Sequence, residues 1–411
     1  MVGEATGMSQ ISPPQTIHLP QGFSFSAVTA GIKVSGRLDL SLIEASAGAT
    51  AAAMFTKNRV VAAPVEIGRQ ALAISRGRVR AVIINSGNAN CATGKPGLKA
   101  CQRICRETAK LLGVRSEEIF PSSTGIIGVP LPAEKIVNKL PDLIAARQSS
   151  EEGIAQLAKA IMTTDTRPKL ASAQFRSGNS MINLTGVAKG SGMIHPQLAT
   201  MLVYILSDVS ATPAELKHLL REACDESFNC ISVDGDTSTN DTVLVLASGK
   251  SGTGLKNPKV RDQFSAALRE VCQSLANQIV ADGEGVQHII RLHIEQAKNR
   301  HEALHVARAI AHSLLVKTAW AGADPNWGRI LSAAGACGLL LDPNCIDIYI
   351  GKQRVCRNGV GFPFDEAEAH RGLSQQQCDI RIILRRGIAS IIFQTTDLTA
   401  EYVRINADYS T

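Results

Sequence analysis

The 411-residue sequence predicts a mixed α/β fold, because segments with helical periodicity and segments rich in strand formers both occur along its length. The clearest strand begins at Thr200, where the run Thr-Met-Leu-Val-Tyr-Ile-Leu is apolar and rich in strand formers. A second strand is predicted over Val79–Asn85, a β-branched run that ends in a loop rich in Asn and Gly. The clearest helix is predicted over 260–280, where apolar residues recur on one stripe: Val260, Phe264, Leu268, Val271, Leu275 and Ile279.

The same two patterns predict the other elements. Further helices are expected over 98–112, 133–145, 153–162, 213–227 and 300–317, and after the capping motif 324–330. Further strands are expected over 22–34, 47–55, 243–247, 286–294, 346–350, 378–384 and 389–394, with 169–184 as a hairpin that turns at 177–180. Residues 1–20 are polar and contain two adjacent prolines, so they are predicted to form a flexible N-terminal tail.

Composition indicates a soluble, cytoplasmic protein. The net charge is +7, but Lys and Arg are scattered, and the chain has only four Tyr and two Trp to stack on bases. Nucleic-acid binding is therefore disfavoured, whereas an anionic small substrate fits the mild basic bias. The ten cysteines include no Cys-x-x-Cys pair, which is typical of reduced, mostly buried thiols. No signal-peptide pattern and no run of 18 apolar residues occurs.

A glycine-rich loop between Lys189 and Thr200, the central loop, places one hydroxyl group at the start of a buried strand. Gly190 and Gly192 allow backbone conformations that are closed to other residues, and Pro196 removes an amide donor. The hydroxyl is that of Thr200. On the residues alone, this is a loop that feeds a strand and is capped by Thr200. Lys189-Gly-Ser-Gly lacks the spacing of a phosphate-binding loop, so a nucleotide site is not predicted.

The segment from Lys189 to Leu202, read Lys-Gly-Ser-Gly-Met-Ile-His-Pro-Gln-Leu-Ala-Thr-Met-Leu, resembles the self-cleavage segment of the ornithine acetyltransferase (glutamate N-acetyltransferase) family of arginine biosynthesis. It departs from the family at Gln197 and Leu198, where Asn and Met are more usual. In that family the chain cuts itself before the threonine, here between Ala199 and Thr200, and the threonine becomes an N-terminal nucleophile. The resemblance extends from about Gly22 to Thr411, nearly the whole chain.

The resemblance also implies an architecture and an assembly. The expected fold is a mixed sandwich of sheets and helices in which the two cleaved chains remain interlocked. The chains would comprise residues 21–199 and 200–411, and two copies of each would form a heterotetramer.

The resemblance assigns site residues outside the central loop. The family places its oxyanion hole at a Thr-Gly pair, here Thr124-Gly125 in the predicted loop 121–128, which on the residues alone could equally be a helix-capping turn. The loop 85–94 would form part of the wall of the active site. The substrate-binding residues implied are Thr163, Lys189, Thr200, Glu284, Asn406 and Thr411. Lys189 would pair with the substrate's α-carboxylate. Glu284 would pair with the ornithine ammonium, although it would then repel the side-chain carboxylate of glutamate.

The activity implied is transfer of the acetyl group from N2-acetyl-L-ornithine to L-glutamate through an acetyl-threonine intermediate. No cofactor is expected, and the sequence leaves open whether acetyl-CoA serves as a second donor. Two alternatives also remain open. One is an amidase or aminopeptidase that uses the same N-terminal nucleophile with water as the acceptor. The other is a non-catalytic binding protein whose chain stays intact.

Two motifs suggest a metal, but neither is predicted to bind one. His301-Glu-Ala-Leu-His305 satisfies the H-E-x-x-H pattern of zinc proteases, yet the extension that supplies their third ligand is missing. The acidic turn 234–241 lacks the terminal glutamate of a calcium-binding EF-hand loop and is interpreted as structural.

Overall fold

Two β-sheets form the frame of the fold, as described by a computed structural model for residues 16–195 and 201–408. The strands are Ser24–Val28 (β1), Leu40–Phe55 (β2), Arg78–Asn88 (β3), Ile119–Ile126 (β4), Lys169–Ser177 (β5), Ser180–Lys189 (β6), Leu202–Ser207 (β7), Thr242–Ala247 (β8), Ile289–Ala297 (β9), Asp347–Ile350 (β10), Gln353–Arg357 (β11), Val360–Gly361 (β12), Gln377–Ile383 (β13) and Ala389–Thr396 (β14). This mixed α/β architecture confirms the predicted fold class.

The first sheet runs in the order β4-β3-β2-β8-β7-β6-β5, and β1 pairs with β2. The sixteen-residue β2 contains an irregularity between Glu44 and Ala49, so that its first half pairs mainly with β3 and its second half with β8. The pairs β3–β4 and β7–β8 are parallel, whereas β6–β7 is antiparallel. The second sheet runs in the order β12-β11-β10-β13-β9-β14.

Helices cover the sheets. They are Ala63–Ile74 (α1), Gly94–Leu112 (α2), Ala133–Ala145 (α3), Glu151–Ala160 (α4), Pro213–Glu226 (α5), Pro258–Ala281 (α6), Arg300–Ala311 (α7), Leu314–Ala321 (α8), Trp327–Gly335 (α9), Glu366–Leu373 (α10) and Ala400–Asp408 (α11). Across the described ranges, each helix is too short or too polar to span a membrane. The ten cysteines are free thiols, and only Cys337 and Cys345 are partly exposed, in agreement with the expectation of reduced, mostly buried cysteines.

The apolar run of β7 is explained by burial on both faces of the first sheet. Val203 and Ile205 point into a core shared with α5 and α6. Tyr204 and Leu206 point into a second core that includes α4. A strand that is covered on both sides needs apolar residues at every position rather than at alternate ones. The predicted strand therefore exists as β7, which begins at Leu202 rather than at Thr200.

Side-chain hydrogen bonds explain two of the differences between the predicted elements and the structure. The strand predicted over 22–34 ends at Val28, because the buried carboxylate of Asp39 accepts hydrogen bonds from the next amides, those of Ala30, Ile32 and Lys33. The single helix predicted over 300–317 is two helices, α7 and α8. The side chain of Ser313 accepts a hydrogen bond from the amide of Val316 and so caps a new helix.

Helix α6 offers a test of the core. Leu268 is fully buried between α6 and the first sheet, so Leu268→Ala should lower the free energy of unfolding by about 2–5 kcal/mol. Leu315→Ala is the matched control, because Leu315 also lies in a helix but is 63% exposed. Urea unfolding of both variants measures the difference. Equal losses for the two variants would contradict this placement of α6.

Candidate active site

A cavity of about 170 Å³ lies where the ends of β4 and β6 meet the loops after α4 and α6, the loop before β8, and α11. Six of the residues assigned from the sequence line it: Thr124, Gly125, Thr163, Lys189, Glu284 and Asn406. Ala89, from the loop predicted to be part of the wall, also lines the cavity. The other three assigned residues, Ala199, Thr200 and Thr411, lie outside the described residues. Residues far apart in sequence are thus brought to one place, while their roles remain predictions.

Thr124 and Gly125 lie at the end of β4, so the prediction of a loop over 121–128 is wrong for most of that stretch. β4 runs parallel to β3, and Gly125 pairs with Gly87. Gly125 has a φ of 133°, and a Cβ there would lie 2.3 Å from the carbonyl carbon of Gly87. A side chain at position 125 is therefore excluded both by the backbone conformation and by the close approach of β3.

Lys189 ends β6 and is the one cationic side chain among the described residues that line the cavity. Its Nζ lies 3.4 Å from the hydroxyl oxygen of Thr124. Burial lowers the pKa of Lys189 because it disfavours the charged form, and nearby carboxylates, with Asp165 foremost, oppose this effect. A buried ammonium group facing a cavity is well placed to bind a carboxylate.

The opposite charge comes from Glu284, which follows α6. Its Oε2 accepts a hydrogen bond of 2.8 Å from Nδ2 of Asn406 in α11. Gly192 lies against the same carboxylate, since a Cβ at that position would be 2.3 Å from Oε2. Asn406 and Gly192 together fix where the Glu284 carboxylate can lie.

The turn 234–241 contributes five cavity-lining residues, and sequence reasoning missed them by interpreting the turn as structural. These are Asp234, Asp236, Ser238, Thr239 and Asn240. Asp234 accepts hydrogen bonds from the amides of Met193 at 2.5 Å and Ile194 at 2.9 Å, and so holds the central loop. Burial raises the pKa of Asp234 to about 6. Tyr402 also lines the cavity and was not predicted; its hydroxyl donates a hydrogen bond of 3.3 Å to Oδ2 of Asp234.

The parallel pairing of β7 with β8 explains why this turn reaches the site. Leu202 pairs with Thr242, so the segments that precede the two strands lie side by side. The amide of Met201, the residue after Thr200, donates a hydrogen bond of 2.8 Å to Oδ1 of Asp241. The acidic composition of the turn was visible in the sequence, but this neighbour relation depends on strand order.

The H-E-x-x-H motif lies on α7, away from the cavity. Its Glu302 is buried and forms an ion pair of 2.7 Å with Arg386 rather than facing a metal site. His312, seven residues beyond the motif, lies against His195, with the ring centroids 4.8 Å apart and the ring planes tilted by 34°. Within 16–195 and 201–408, the structure contains no group of three or more His, Cys, Asp or Glu side chains that could hold a metal ion.

Comparison with known proteins identifies the family. The model of the ArgJ family matches residues 24–411. The chain belongs to the ArgJ family. It is 41% identical to the arginine biosynthesis bifunctional protein ArgJ of Pseudomonas fluorescens (strain Pf0-1), over 98% of this chain and 99% of that protein. It is also 41% identical to the protein of the same name from Geobacter sulfurreducens, over 95% of this chain and 99% of that protein.

Solved structures of related proteins include two with substantial sequence identity. The arginine biosynthesis bifunctional protein argJ of Bacillus halodurans is 40% identical, with a TM-score of 0.48, over 50% of this chain and 98% of that chain. The ornithine acetyltransferase of Mycobacterium tuberculosis, complexed with ornithine, is 36% identical, with a TM-score of 0.38, over 43% of this chain and 92% of that chain. Membership of the ArgJ family confirms both the family predicted from the sequence and the expectation of an acyltransferase.

The contact between Gly192 and Glu284 can be tested by adding one methyl group. In Gly192→Ala the new Cβ must displace the flexible end of Glu284 and break its contact with Asn406. Acyltransferase activity should fall by about 10- to 100-fold, as for a small misplacement of a site group, with little change in melting temperature.

Gly372→Ala is the matched control, because a Cβ there meets nothing within 4 Å and α10 is remote from the cavity. It should leave the activity unchanged and stabilise the helix slightly. Full activity in Gly192→Ala would show that the position of Glu284 is unimportant.

Proposed function

We propose that this ArgJ-family enzyme transfers the acetyl group of N2-acetyl-L-ornithine to L-glutamate, with the hydroxyl of Thr200 as the carrier. The products are ornithine and N-acetylglutamate, an activity within arginine biosynthesis. The observation that carries the proposal is the convergence of six residues assigned by family resemblance on one cavity, which offers a buried cation and a carboxylate to an amino-acid substrate. The names of the curated relatives support the same pathway.

The nucleophile would form by cleavage of the bond between Ala199 and Thr200. The hydroxyl oxygen of Thr200 attacks the carbonyl carbon of Ala199, the peptide C–N bond breaks, and the nitrogen becomes the free α-amine. Water then hydrolyses the ester. Described residues before and after this bond support the proposed site. Gly192 and Met193, which precede the bond, line the cavity. The amide of Met201, which follows it, donates a hydrogen bond to Asp241.

Acetyl transfer would then need no histidine. A free α-amine has an ordinary pKa of about 7.7–8.0, so at neutral pH it can take the proton of its own residue's hydroxyl. Thr200 Oγ attacks the acetyl carbonyl, ornithine leaves with the proton, and the amine of glutamate attacks the resulting ester. Thr124 and Gly125 would stabilise the oxyanion. Because Lys189 donates toward the Thr124 oxygen, the proton of that hydroxyl can point to the substrate.

The α-carboxylate would orient both substrates in the same way. Lys189 would bind the α-carboxylate that N2-acetylornithine and glutamate share, and Glu284 would bind the ornithine ammonium. Thr163 lines the same cavity as these groups. The hydroxyl of Thr399 donates to the carbonyl of Gly285 at 2.7 Å and so anchors the start of α11, the helix that carries Asn406. Thr411 is proposed to complete the binding site from beyond α11.

The first sheet supports the proposed pair of chains, 21–199 and 200–411. β6 belongs to the first chain and β7 to the second, and the two are neighbours with Lys189 opposite Leu202. Cleavage between them leaves their hydrogen bonds in place. Residues 1–20 would remain a tail, and two copies of each chain would assemble in the cytoplasm. The chemistry requires no cofactor. The proposal leaves open a second acetyl donor, and an assay with acetyl-CoA in place of N2-acetylornithine decides whether it serves as one.

Self-cleavage predicts that purified protein runs as two fragments on a denaturing gel, with the second beginning at Thr200. Thr200→Ala should remain one uncut chain and be inactive, because it lacks the attacking hydroxyl. Thr200→Ser is the matched control, since it keeps a hydroxyl and should still be cut. N-terminal sequencing identifies the new end. Cutting of Thr200→Ala at the same bond would assign the cleavage to an external protease.

The carrier role of Thr200 predicts a covalent intermediate. Incubation with N2-acetylornithine alone should add the mass of one acetyl group to the fragment that begins at Thr200, and glutamate should remove it and yield N-acetylglutamate. Initial rates against both substrates should give the parallel lines of ping-pong kinetics. Intersecting lines without a trapped intermediate would contradict the carrier role. Loss of the acetyl group to water at the same rate with or without glutamate would instead indicate an amidase.

A further inference from the structure

Three charged side chains are buried behind Lys189, and none of them lines the cavity. Lys169 Nζ lies 2.7 Å from Oδ1 of Asp165 and 2.5 Å from Oδ2 of Asp282. The exposed fractions of the three side chains lie between 0% and 3%. Such a triad is costly to desolvate and contributes little net stability by itself. Its presence beside a binding cavity therefore calls for a functional explanation.

The triad connects three walls of the cavity. Asp165 Oδ1 accepts a hydrogen bond of 2.7 Å from the amide of Gly190, the residue after Lys189. Asp165 Oδ2 accepts one of 3.0 Å from the amide of Thr163. The hydroxyl of Ser191 donates at 2.6 Å to the carbonyl oxygen of Asp282, two residues before Glu284. The loops after α4, β6 and α6 are thus tied to one set of charges.

The charges that act on the Lys189 ammonium come from five directions. They are Asp165 after α4, Lys169 at the start of β5, Asp241 before β8, Glu284 after α6, and Lys33 in the loop after β1. Asp165 is the strongest of the carboxylates in this set, and Lys169 opposes it. Burial would raise the pKa of Asp165, but Lys189 and then Lys169 outweigh burial and hold it at about 2, so this carboxylate is charged at neutral pH.

We propose that Asp165 is the counter-ion that keeps Lys189 charged for carboxylate binding, and that Lys169 limits this effect by sharing the same carboxylate. Asp165 and Lys169 are then positioning residues, since they act on the substrate through Lys189. Asp282 is the second carboxylate that pairs with Lys169. This proposal rests on the proposed role of Lys189 in binding the α-carboxylate of the substrates.

The proposal predicts that two single variants act in opposite directions. Only the protonated form of Lys189 binds a carboxylate, so the pH above which kcat/KM for N2-acetylornithine falls reports the pKa of Lys189 in the free enzyme. This fall of kcat/KM at high pH is the basic limb of the pH profile. In Asp165→Asn the basic limb should move to lower pH by about one pH unit, because a counter-charge is lost. In Lys169→Met it should move to higher pH, because a repelling charge is lost. The change should lie in KM rather than kcat.

Asp282→Asn is the matched control for loosening of the triad. It makes the same chemical change as Asp165→Asn to an equally buried partner of Lys169, and Asp282 is not among the main charges that act on Lys189. Its melting temperature should fall as in the other variants, while its basic limb should stay where it is in the wild type. Basic limbs that shift together in all three variants, or in none, would overturn the proposal. If Asp165→Asn is not recovered folded, the direction of the shift in Lys169→Met decides.

Equilibrium binding separates this proposal from the proposed function. Titration calorimetry with ornithine over the same pH range measures binding without turnover, and because the amines of ornithine titrate alike in every experiment, differences between the variants and the wild type report Lys189. If the wild type transfers the acetyl group but the variants show no opposite shifts, the counter-ion role alone is refuted. A wild type that binds ornithine without transfer refutes the proposed reaction, and the shifts in affinity still decide the role of Asp165. A wild type that neither transfers nor binds refutes both.

Discussion

The burial of the Lys189 ammonium group is the constraint on which the rest of the site depends. An isolated ammonium ion in a protein interior tends to lose its proton, so a lysine that must stay charged needs carboxylates around it. The chain supplies them from segments that are far apart in sequence, namely Asp165, Asp241 and Glu284. Each belongs to a different loop, and each loop also contributes to a wall of the cavity. The electrostatic requirement and the shape of the cavity therefore have the same structural origin.

The strand order of the first sheet brings the segments that form the site together. β6 and β7 are adjacent and antiparallel, which places Lys189 at one end of the central loop and Leu202 at the other. β7 and β8 are adjacent and parallel, which brings the acidic turn 234–241 beside the same loop. β3 and β4 are parallel, so Ala89, just after β3, and Thr124, near the end of β4, both line the cavity. Strand ends and the loops that follow them supply the site, while the buried faces of the strands supply stability.

Much of this arrangement could be predicted from the sequence. The helix 133–145 was predicted with its observed bounds, and the hairpin that turns at 177–180 joins β5 to β6 as expected. Both elements depend on local patterns of apolar and turn-forming residues. Family resemblance, rather than periodicity, supplied the assigned residues that the structure brings together around the cavity.

What could not be predicted depends on side chains that act over long distances. The strand expected over 22–34 ends early because a carboxylate, Asp39, accepts the amides that a neighbouring strand would otherwise bind. The role of Asp234 depends on amides about forty residues away, in Met193 and Ile194. The triad of Asp165, Lys169 and Asp282 spans more than a hundred positions. Local sequence patterns carry no information on such partners until the strand order is known.

The pairing of β6 with β7 has a consequence for how the protein reaches its mature state. Before the proposed cleavage, the loop between these strands holds them at a high effective concentration, so their pairing is an intramolecular event with a small entropic cost. After that cleavage the same pairing, with the same hydrogen bonds, would join two separate polypeptides. The intact chain can therefore use this connection only once, during its first folding. Mature fragments that are fully unfolded and then diluted must find each other in solution, so recovery of the native enzyme becomes dependent on protein concentration.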